Sequence, residues 1–309
     1  MDQYFKSYEE LDIHQLMLDD KIRVLAYKTA IFNSKDKFQG KTVMDVGAGT
    51  GILSIFSAQA GAKKVYAVEA SILAKTIEHV LIENNVQNKI EVIHSKVEDI
   101  HPDSLEKVDI IISEWMGFYL VHEGMLDSLL YARDNFLREN GLLFPSIAKL
   151  YASPCQLRIM YEFWDNVHGV SMRFIGKQYR EIKSMKPEIL YLNQDDLLTE
   201  VEFPDGSEMS TGPCVEPTHW KQTIIVLPTD IKVIKHEPIA YRLSLKRDTL
   251  CPRHYNIEVN LLDAEEVEHD VPCNCHMTKC IVTRTYVTDY ANNKTVAPAK
   301  SYKIENNNF

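Results

Sequence analysis

Apolar residues along this chain recur in two rhythms. Between residues 41 and 146, short β-rich runs alternate with segments of helical spacing. The runs are "KTVMDVG" (41–47), "KVYAVEA" (64–70), "KIEVIHS" (89–95), "VDIIISE" (108–114) and "GLLFPS" (141–146). Helical patterns fall at 51–60, 72–84 and 125–137. Such alternation predicts an α/β fold with a parallel, doubly wound sheet. Ligands of such sheets bind beyond the carboxyl ends of the strands. Upstream, residues 13–32 contain no Gly or Pro and carry apolar positions at helical spacing, which predicts one helix. After Pro145 the pattern changes. Residues 155–183 read as helical and aromatic, with Tyr161, Phe163 and Trp164. From 221 onward, "KQTIIVL", "IAYRLSLKR", "YNIEVNLL" and "CIVTRTYVT" read as antiparallel strands. The expected division is a helical segment (1–32), a sheet domain (33–145) and a β-rich domain (146–309).

Composition narrows the partners. The chain has 309 residues, 45% hydrophobic and 25% charged, as expected of a globular protein with a sizeable core. A formal net charge of -10 and the lack of a basic block speak against direct nucleic-acid binding and suit a cationic partner. No apolar run approaches the ~18 residues of a membrane span. The start, "MDQYFKSYEE", lacks the order of a signal peptide, and the six cysteines are scattered. The expected compartment is reducing: cytoplasm, nucleus or both.

"VMDVGAGTGILS" (43–54) reads as a strand, a glycine-rich turn and a helix start. Its spacing is GxGxG, not the GxGxxG of dinucleotide sites. Asp45, two residues before Gly47, would oppose a pyrophosphate and favour a ligand with a positive amino group. S-adenosylmethionine has no phosphate and carries an ammonium and a sulfonium. Glu69 ends the next strand, where a carboxylate can accept both ribose hydroxyls. Glu98, after the third strand, is placed to accept from the adenine amino group. The plain alternative is a structural turn with two surface acids.

"SEWMGFYLVHE" (113–123) places Glu114 and Glu123 after the fourth strand, beside the expected cofactor pocket. Two carboxylates balance a sulfonium plus a guanidinium, which matters where water is excluded. Carboxylates also match the planar fork of arginine. Two of them gripping a guanidinium can localise its charge and aim one nitrogen at a methyl group. Taken alone, they could equally be solvated loop acids.

In combination these motifs resemble the protein arginine methyltransferases, especially those that form asymmetric dimethylarginine. The resemblance runs from Tyr4 to about Tyr290 and includes "YFKSY" (4–8), "AVEAS" (67–71), "SKVED" (95–99) and "THW" (218–220). It implies a Rossmann-like S-adenosylmethionine domain, then a β-barrel-like domain with an inserted helical dimerisation arm at about 151–187. S-adenosylhomocysteine would be the product. Tyr4, Phe5 and Tyr8 would form a lid over the cofactor, with Tyr8 at the arginine entrance. His14, Met17 and Arg23 would line the cofactor pocket, with Arg23 pairing with the cofactor carboxylate. Gly47, Gly49, Glu69, Ala70, Val97 and Glu98 would complete it. Glu114 and Glu123 would clamp the arginine, with Met17, Met116 and Met125 packed nearby. His219 would pair with Asp20 to relay the departing proton. With Trp220 it could instead serve as a polar latch between domains. Implied substrates are arginine-rich proteins such as histones or glycine-arginine-rich RNA-binding proteins. The implied assembly is a homodimer, or a heterodimer with a related methyltransferase.

One departure stands out. Only "PDGSEMSTGPCVEP" (204–217), read as loop, lies where the family has several barrel strands. The barrel should therefore lack strands or close differently, and His219 could shift from Asp20. That opens a second reading, a non-catalytic subunit. A small-molecule methyltransferase is a third, though it would not need the double glutamate with Thr-His-Trp. No metal is expected. In "HDVPCNCHMTKC" (269–280), His269, Cys273, Cys275, His276 and Cys280 offer zinc ligands, but the spacing lacks a CxxC pair.

Overall fold

The computed structural model describes residues 8–155, 162–185, 188–190, 199–212, 215–234, 239–263 and 278–292. The chain forms two compact units: Met1–Pro228 with Leu245–Asn256, and Thr229–Ser244 with Ile257–Phe309.

The first unit opens with α1 (Leu11–Asp19) and α2 (Lys21–Asn33), followed by the single turn α3 (Lys35–Phe38). Sequence spacing predicted one continuous helix here. The break falls at Asp20, whose backbone is extended and whose side chain accepts from Arg23 N at 3.0 Å. Asp is a strong N-cap former, so it can end one helix and start the next without Gly or Pro.

A five-stranded parallel sheet follows: β1 (Thr42–Val46), β2 (Lys64–Glu69), β3 (Ile90–His94), β4 (Val108–Ile112) and β5 (Leu137–Phe144). Between them run α4 (Ile52–Gln59), α5 (Ala74–Glu83) and α6 (Met125–Phe136). The spatial order is β3-β2-β1-β4-β5, so the winding reverses between β1 and β4. Every residue of β1 is buried, as a central parallel strand covered on both faces requires. Ile110, Ile111 and Ile112 of β4 are each at most 1% exposed. Burial of each such side chain contributes about 1.5–3 kcal/mol.

After Phe144 the chain leaves this sheet. β6 (Ile147–Leu150) pairs with β8 (Thr199–Glu202), which pairs with β9 (Glu208–Ser210), all antiparallel. Part of the stretch expected to be loop is therefore the second arm of a hairpin, turning at Gly206 with φ 83°. Between β6 and β8 lie α7 (Arg173–Lys183) and β7 (Glu188–Leu190), which pairs with β10 (Gln222–Ile224). Trp164 packs on Gly176 of α7, where a Cβ would stand 2.7 Å from the Trp164 Cβ. Tyr161 lies outside the described residues. Among the described residues, the antiparallel strands form separate sheets of three, two and two strands.

The last of these sheets is β11 (Ala240–Arg247) with β12 (Tyr255–Leu262). Beyond it, "CIVTRTYVT" is not a strand but part of helix α8 (Thr278–Asn292). Its β-branched residues favour a strand, but a strand needs a neighbour to satisfy its backbone. A helix satisfies the backbone internally. Cys280 is buried on α8, and the rest of the zinc alternative, 269–276, lies outside the described residues.

Candidate active site

The loops after β1 and β4 meet where the winding reverses, the place at which open α/β sheets bind ligands. Ser113, immediately after β4, ties them together: its Oγ donates to Val46 O at 2.7 Å. Gly47, Gly49 and Gly51 all have positive φ, at 76°, 56° and 84°. At Gly47 the left-handed backbone disfavours any side chain, and a Cβ there would also displace the Met125 Cε methyl, 2.5 Å away. Glu69 ends β2 and folds back under this loop. Its carboxylate accepts from Gly49 N at 2.8 Å and Ser71 N at 2.7 Å. Each oxygen retains a second lone pair. Glu98 is held by the Ser128 hydroxyl at 2.5 Å.

The second loop is a tight hairpin. Gly117 and Leu120 exchange backbone hydrogen bonds of 3.0 Å in both directions. Tyr119, Leu120 and Glu123 sit at positive φ of 40°, 70° and 78°. Such strain in non-glycine residues persists only where surroundings enforce it. Here Tyr8 donates its hydroxyl to Glu123, and Arg253 Nη1 donates to the Glu123 carbonyl at 3.1 Å. Glu114 is held differently. Arg23 grips its Oε2 through Nε and Nη2, both at 2.8 Å, and Met116 N donates to its Oε1 at 3.1 Å. Arg23 was expected to hold a cofactor carboxylate. It has five N–H groups: two bind Glu114, one binds Met17 O at 3.0 Å, and two remain for a ligand.

His219 stands beside Asp20 despite the shortened segment before it. Asp20 Oδ2 accepts from His219 N at 2.8 Å and His219 Nδ1 at 2.7 Å. Burial pushes the Asp20 carboxyl up, but the hydrogen bonds from His219 and Arg23 more than offset it, and its pKa lies below the ordinary value. Facing an ionised partner, Nδ1 carries the hydrogen, so neutral His219 has its lone pair on Nε2. Trp220 Nε1 donates to Met116 O at 2.8 Å and locks this segment to the glutamate loop.

These residues enclose a cavity of ≈ 720 Å³. On its wall are Tyr8, His14, Met17, Arg23, Gly47, Gly49, Glu69 and Ala70. Val97, Glu98, Glu114, Met116, Glu123, Met125, His219 and Trp220 line it as well. Tyr4 and Phe5 lie outside the described residues. Asp45 does not reach the wall. It is fully buried on β1, where alternation turns its side chain towards α4, and it accepts from Ser54 Oγ at 2.7 Å. Sequence reading missed the turn 250–254, which brings Leu250, Cys251, Pro252, Arg253 and His254 to the cavity. Nothing in "LCPRH" marks a site by itself.

Asp45 gives a test of this packing. Its second oxygen has no hydrogen-bond partner. Burial pushes its pKa to about 7 from 3.8. A carboxyl with a raised folded pKa contributes stability that is full below the unfolded value and is lost as pH rises through the folded one. Wild-type stability should therefore fall relative to Asp45→Asn by about 2 kcal/mol between pH 5 and 8. The amide's own packing cost shifts the whole curve but not this slope. Chemical denaturation of both proteins across that range measures it, and parallel curves would contradict the buried charge.

Sheet order, glycine turn and strand-end acid define a Rossmann-like methyltransferase core. Residues 30–129 match the ribosomal protein L11 methyltransferase (PrmA) family, and residues 197–263 match the arginine methyltransferase oligomerization subdomain. Over 331 residues the chain is 34% identical to probable protein arginine N-methyltransferase 6.1 of Oryza sativa subsp. indica, covering 83% of this chain and 87% of that protein. It is 39% identical over 285 residues to protein arginine N-methyltransferase 1 of Caenorhabditis elegans, covering 77% and 82%. Among solved structures, the Trypanosoma brucei PRMT1 enzyme-prozyme heterotetrameric complex with AdoHcy superposes with TM-score 0.71 at 28% identity, covering 85% of this chain and 97% of that one. Arabidopsis thaliana protein arginine methyltransferase 10 gives TM-score 0.71 at 30% identity, covering 84% and 94%. The chain belongs to the protein arginine N-methyltransferase family.

Proposed function

We propose that this protein transfers methyl groups from S-adenosylmethionine to guanidino nitrogens of arginine in proteins, giving mono- and asymmetric dimethylarginine. The observation that carries this reading is the convergence of Glu114 and Glu123, from one loop, on a cavity whose other side is the glycine turn and Glu69. The cavity suits the cofactor. Its volume of ≈ 720 Å³ lies in the range of small-molecule sites. Glu69 keeps lone pairs for ribose hydroxyls, and Arg23 keeps two N–H groups for a carboxylate. When bound, S-adenosylmethionine supplies an electrophilic methyl group on a sulfonium.

The chain's own residues do the rest. Glu114, fixed by Arg23 and Met116 N, and Glu123, fixed by Tyr8, are placed to bind a guanidinium and localise its charge. That leaves one nitrogen with the density needed to attack. Arginine's pKa above ~12 means that its proton leaves during or after transfer. His219 Nε2, backed by Asp20, is the acceptor for it. Met17 and Met125 line the cavity and limit the space around the methylated nitrogen, which supports asymmetric over symmetric dimethylation. Outside the site, α7 and its flanks expose Phe163, Phe174, Ile182 and Met185 by 59–80%. An apolar surface of this kind suits a second subunit, identical or related.

The purified chain, given labelled S-adenosylmethionine and a glycine- and arginine-rich peptide, should yield asymmetric dimethylarginine by mass analysis. No transfer with cofactor binding retained would point instead to a non-catalytic subunit that needs an active relative.

A further inference from the structure

The loop with both glutamates also carries an imidazole that the clamp does not use. His122 lines the cavity next to Glu123 and stacks on His254, ring centroids 4.8 Å apart and planes at 20°. Its Nδ1 stands 2.5 Å from the Tyr119 hydroxyl. That hydroxyl has one proton and donates it to the Tyr255 carbonyl at 2.8 Å, because a carbonyl only accepts. Nδ1 must therefore carry a hydrogen and donate to Tyr119. Burial pushes the Tyr119 pKa up to about 12, so the phenol stays protonated at neutral pH. Neutral His122 is thus held as its Nδ1–H tautomer, with a lone pair on Nε2. No described residue hydrogen-bonds that nitrogen.

We propose that Nε2 of neutral His122 is a specificity-determining acceptor for a backbone amide N–H of the substrate peptide, beside the target arginine. The inference rests on the arginine methyltransferase reading. The guanidinium spends its N–H groups on Glu114 and Glu123, so the donors left near the mouth are main-chain amides. His122 is positioned for them by its place next to Glu123 and on the cavity wall. Its ring is held on one edge by Tyr119 and on one face by His254, so little freedom is lost on binding. The titratable and charged groups around it are Tyr119 and Glu123 of its own loop, and Arg253 and His254 of the 250–254 turn. Burial, and then the charge of His254, lower the His122 pKa, which keeps the acceptor form at neutral pH. Protonation would remove the lone pair and set a cation against a cationic peptide. Tyr119 acts as a positioning residue, through the tautomer.

The test is the affinity of a glycine-rich peptide with a single arginine. It is measured with S-adenosylhomocysteine present, beside KM and kcat, between about pH 5.5 and 8.5. His122→Phe should raise peptide Kd and KM about ten-fold, with kcat within about three-fold and cofactor Kd unchanged. His122→Gln, whose amide oxygen reaches the position of Nε2, should recover most of the loss. It should also remove the weakening of wild-type binding at low pH. Tyr119→Phe should raise KM by an intermediate amount, with kcat unchanged. Unchanged peptide affinity in His122→Phe overturns the assignment. So does a Gln variant as weak as Phe, or a loss of cofactor affinity equal to the loss of peptide affinity. A wild-type chain that binds the peptide without methylating it removes the proposed activity and leaves the affinity comparison standing.

Discussion

Glu123→Gln should lower methyl transfer to an arginine peptide by about a thousand-fold or more, with cofactor affinity within about two-fold of wild type. The amide keeps the shape of the side chain and can still accept from Tyr8. It cannot offer two anionic oxygens to a guanidinium, and its NH2 faces a cation. Glu114→Gln should lose transfer to a similar degree but differ in a second measurement. Glu114 and Arg23 form an ion pair with side chains only 8% and 12% exposed. Removing the anion leaves a mostly buried guanidinium uncompensated, which costs about 2–4 kcal/mol. Glu114→Gln should therefore also melt lower, while Glu123→Gln should not. Labelled-methyl transfer, cofactor calorimetry and thermal melts separate the two. Retention of a tenth of wild-type transfer by either variant would falsify the clamp.

The parallel sheet was legible because its strands are apolar throughout and end in turn chemistry that a single sequence displays. "VDIII" followed by "SEWMG" announces a buried strand and a polar loop without any partner being known. The acids on the cavity wall were legible for the same reason: Glu69 ends a strand, and Glu98, Glu114 and Glu123 lie in the loops after strands. Reading failed where the deciding interaction lies far away in sequence. Asp20 breaks the first helical run by capping α2, and its second oxygen is reserved for His219, 199 positions away. Arg23 and Glu114 are 91 positions apart, so nothing local reveals that one holds the other. Arg253 and His254 reach the cavity from the β11–β12 turn, where their neighbours in sequence are ordinary turn residues. The strain at Glu123 is likewise invisible, because glutamate gives no sign that its backbone will be left-handed. The helix at 278–292 shows the opposite failure, in which local β preference was clear and the tertiary setting overrode it.

Gly117→Ala should lower transfer by about a hundred-fold or more while leaving the sheet folded and the cofactor bound. The reason is a backbone contact, not a backbone angle. A Cβ at Gly117 would stand 2.0 Å from the His122 carbonyl oxygen and 2.7 Å from its carbon. Neither atom can rotate aside as the end of a side chain would. The hairpin must open, and the reciprocal Gly117–Leu120 bonds open with it. Those bonds hold Tyr119 and Leu120 in left-handed backbone, each at a cost of about 1–3 kcal/mol, and set the path of the chain into Glu123, which is left-handed as well. Once released, Glu123 relaxes away from the cavity, and a displacement of about 1 Å suffices for a loss of about a hundred-fold. Ser113 Oγ and Glu69 keep their own partners, so β4 and the cofactor side stay in place. Gly206→Ala is the control. It also has positive φ, at 83°, but nothing lies within 4 Å of its Cβ position. It should cost about 1 kcal/mol of stability and no activity. Transfer within ten-fold of wild type in Gly117→Ala would mean that the hairpin can open without moving Glu123. The aim of that carboxylate would then come from Tyr8 and Arg253 alone.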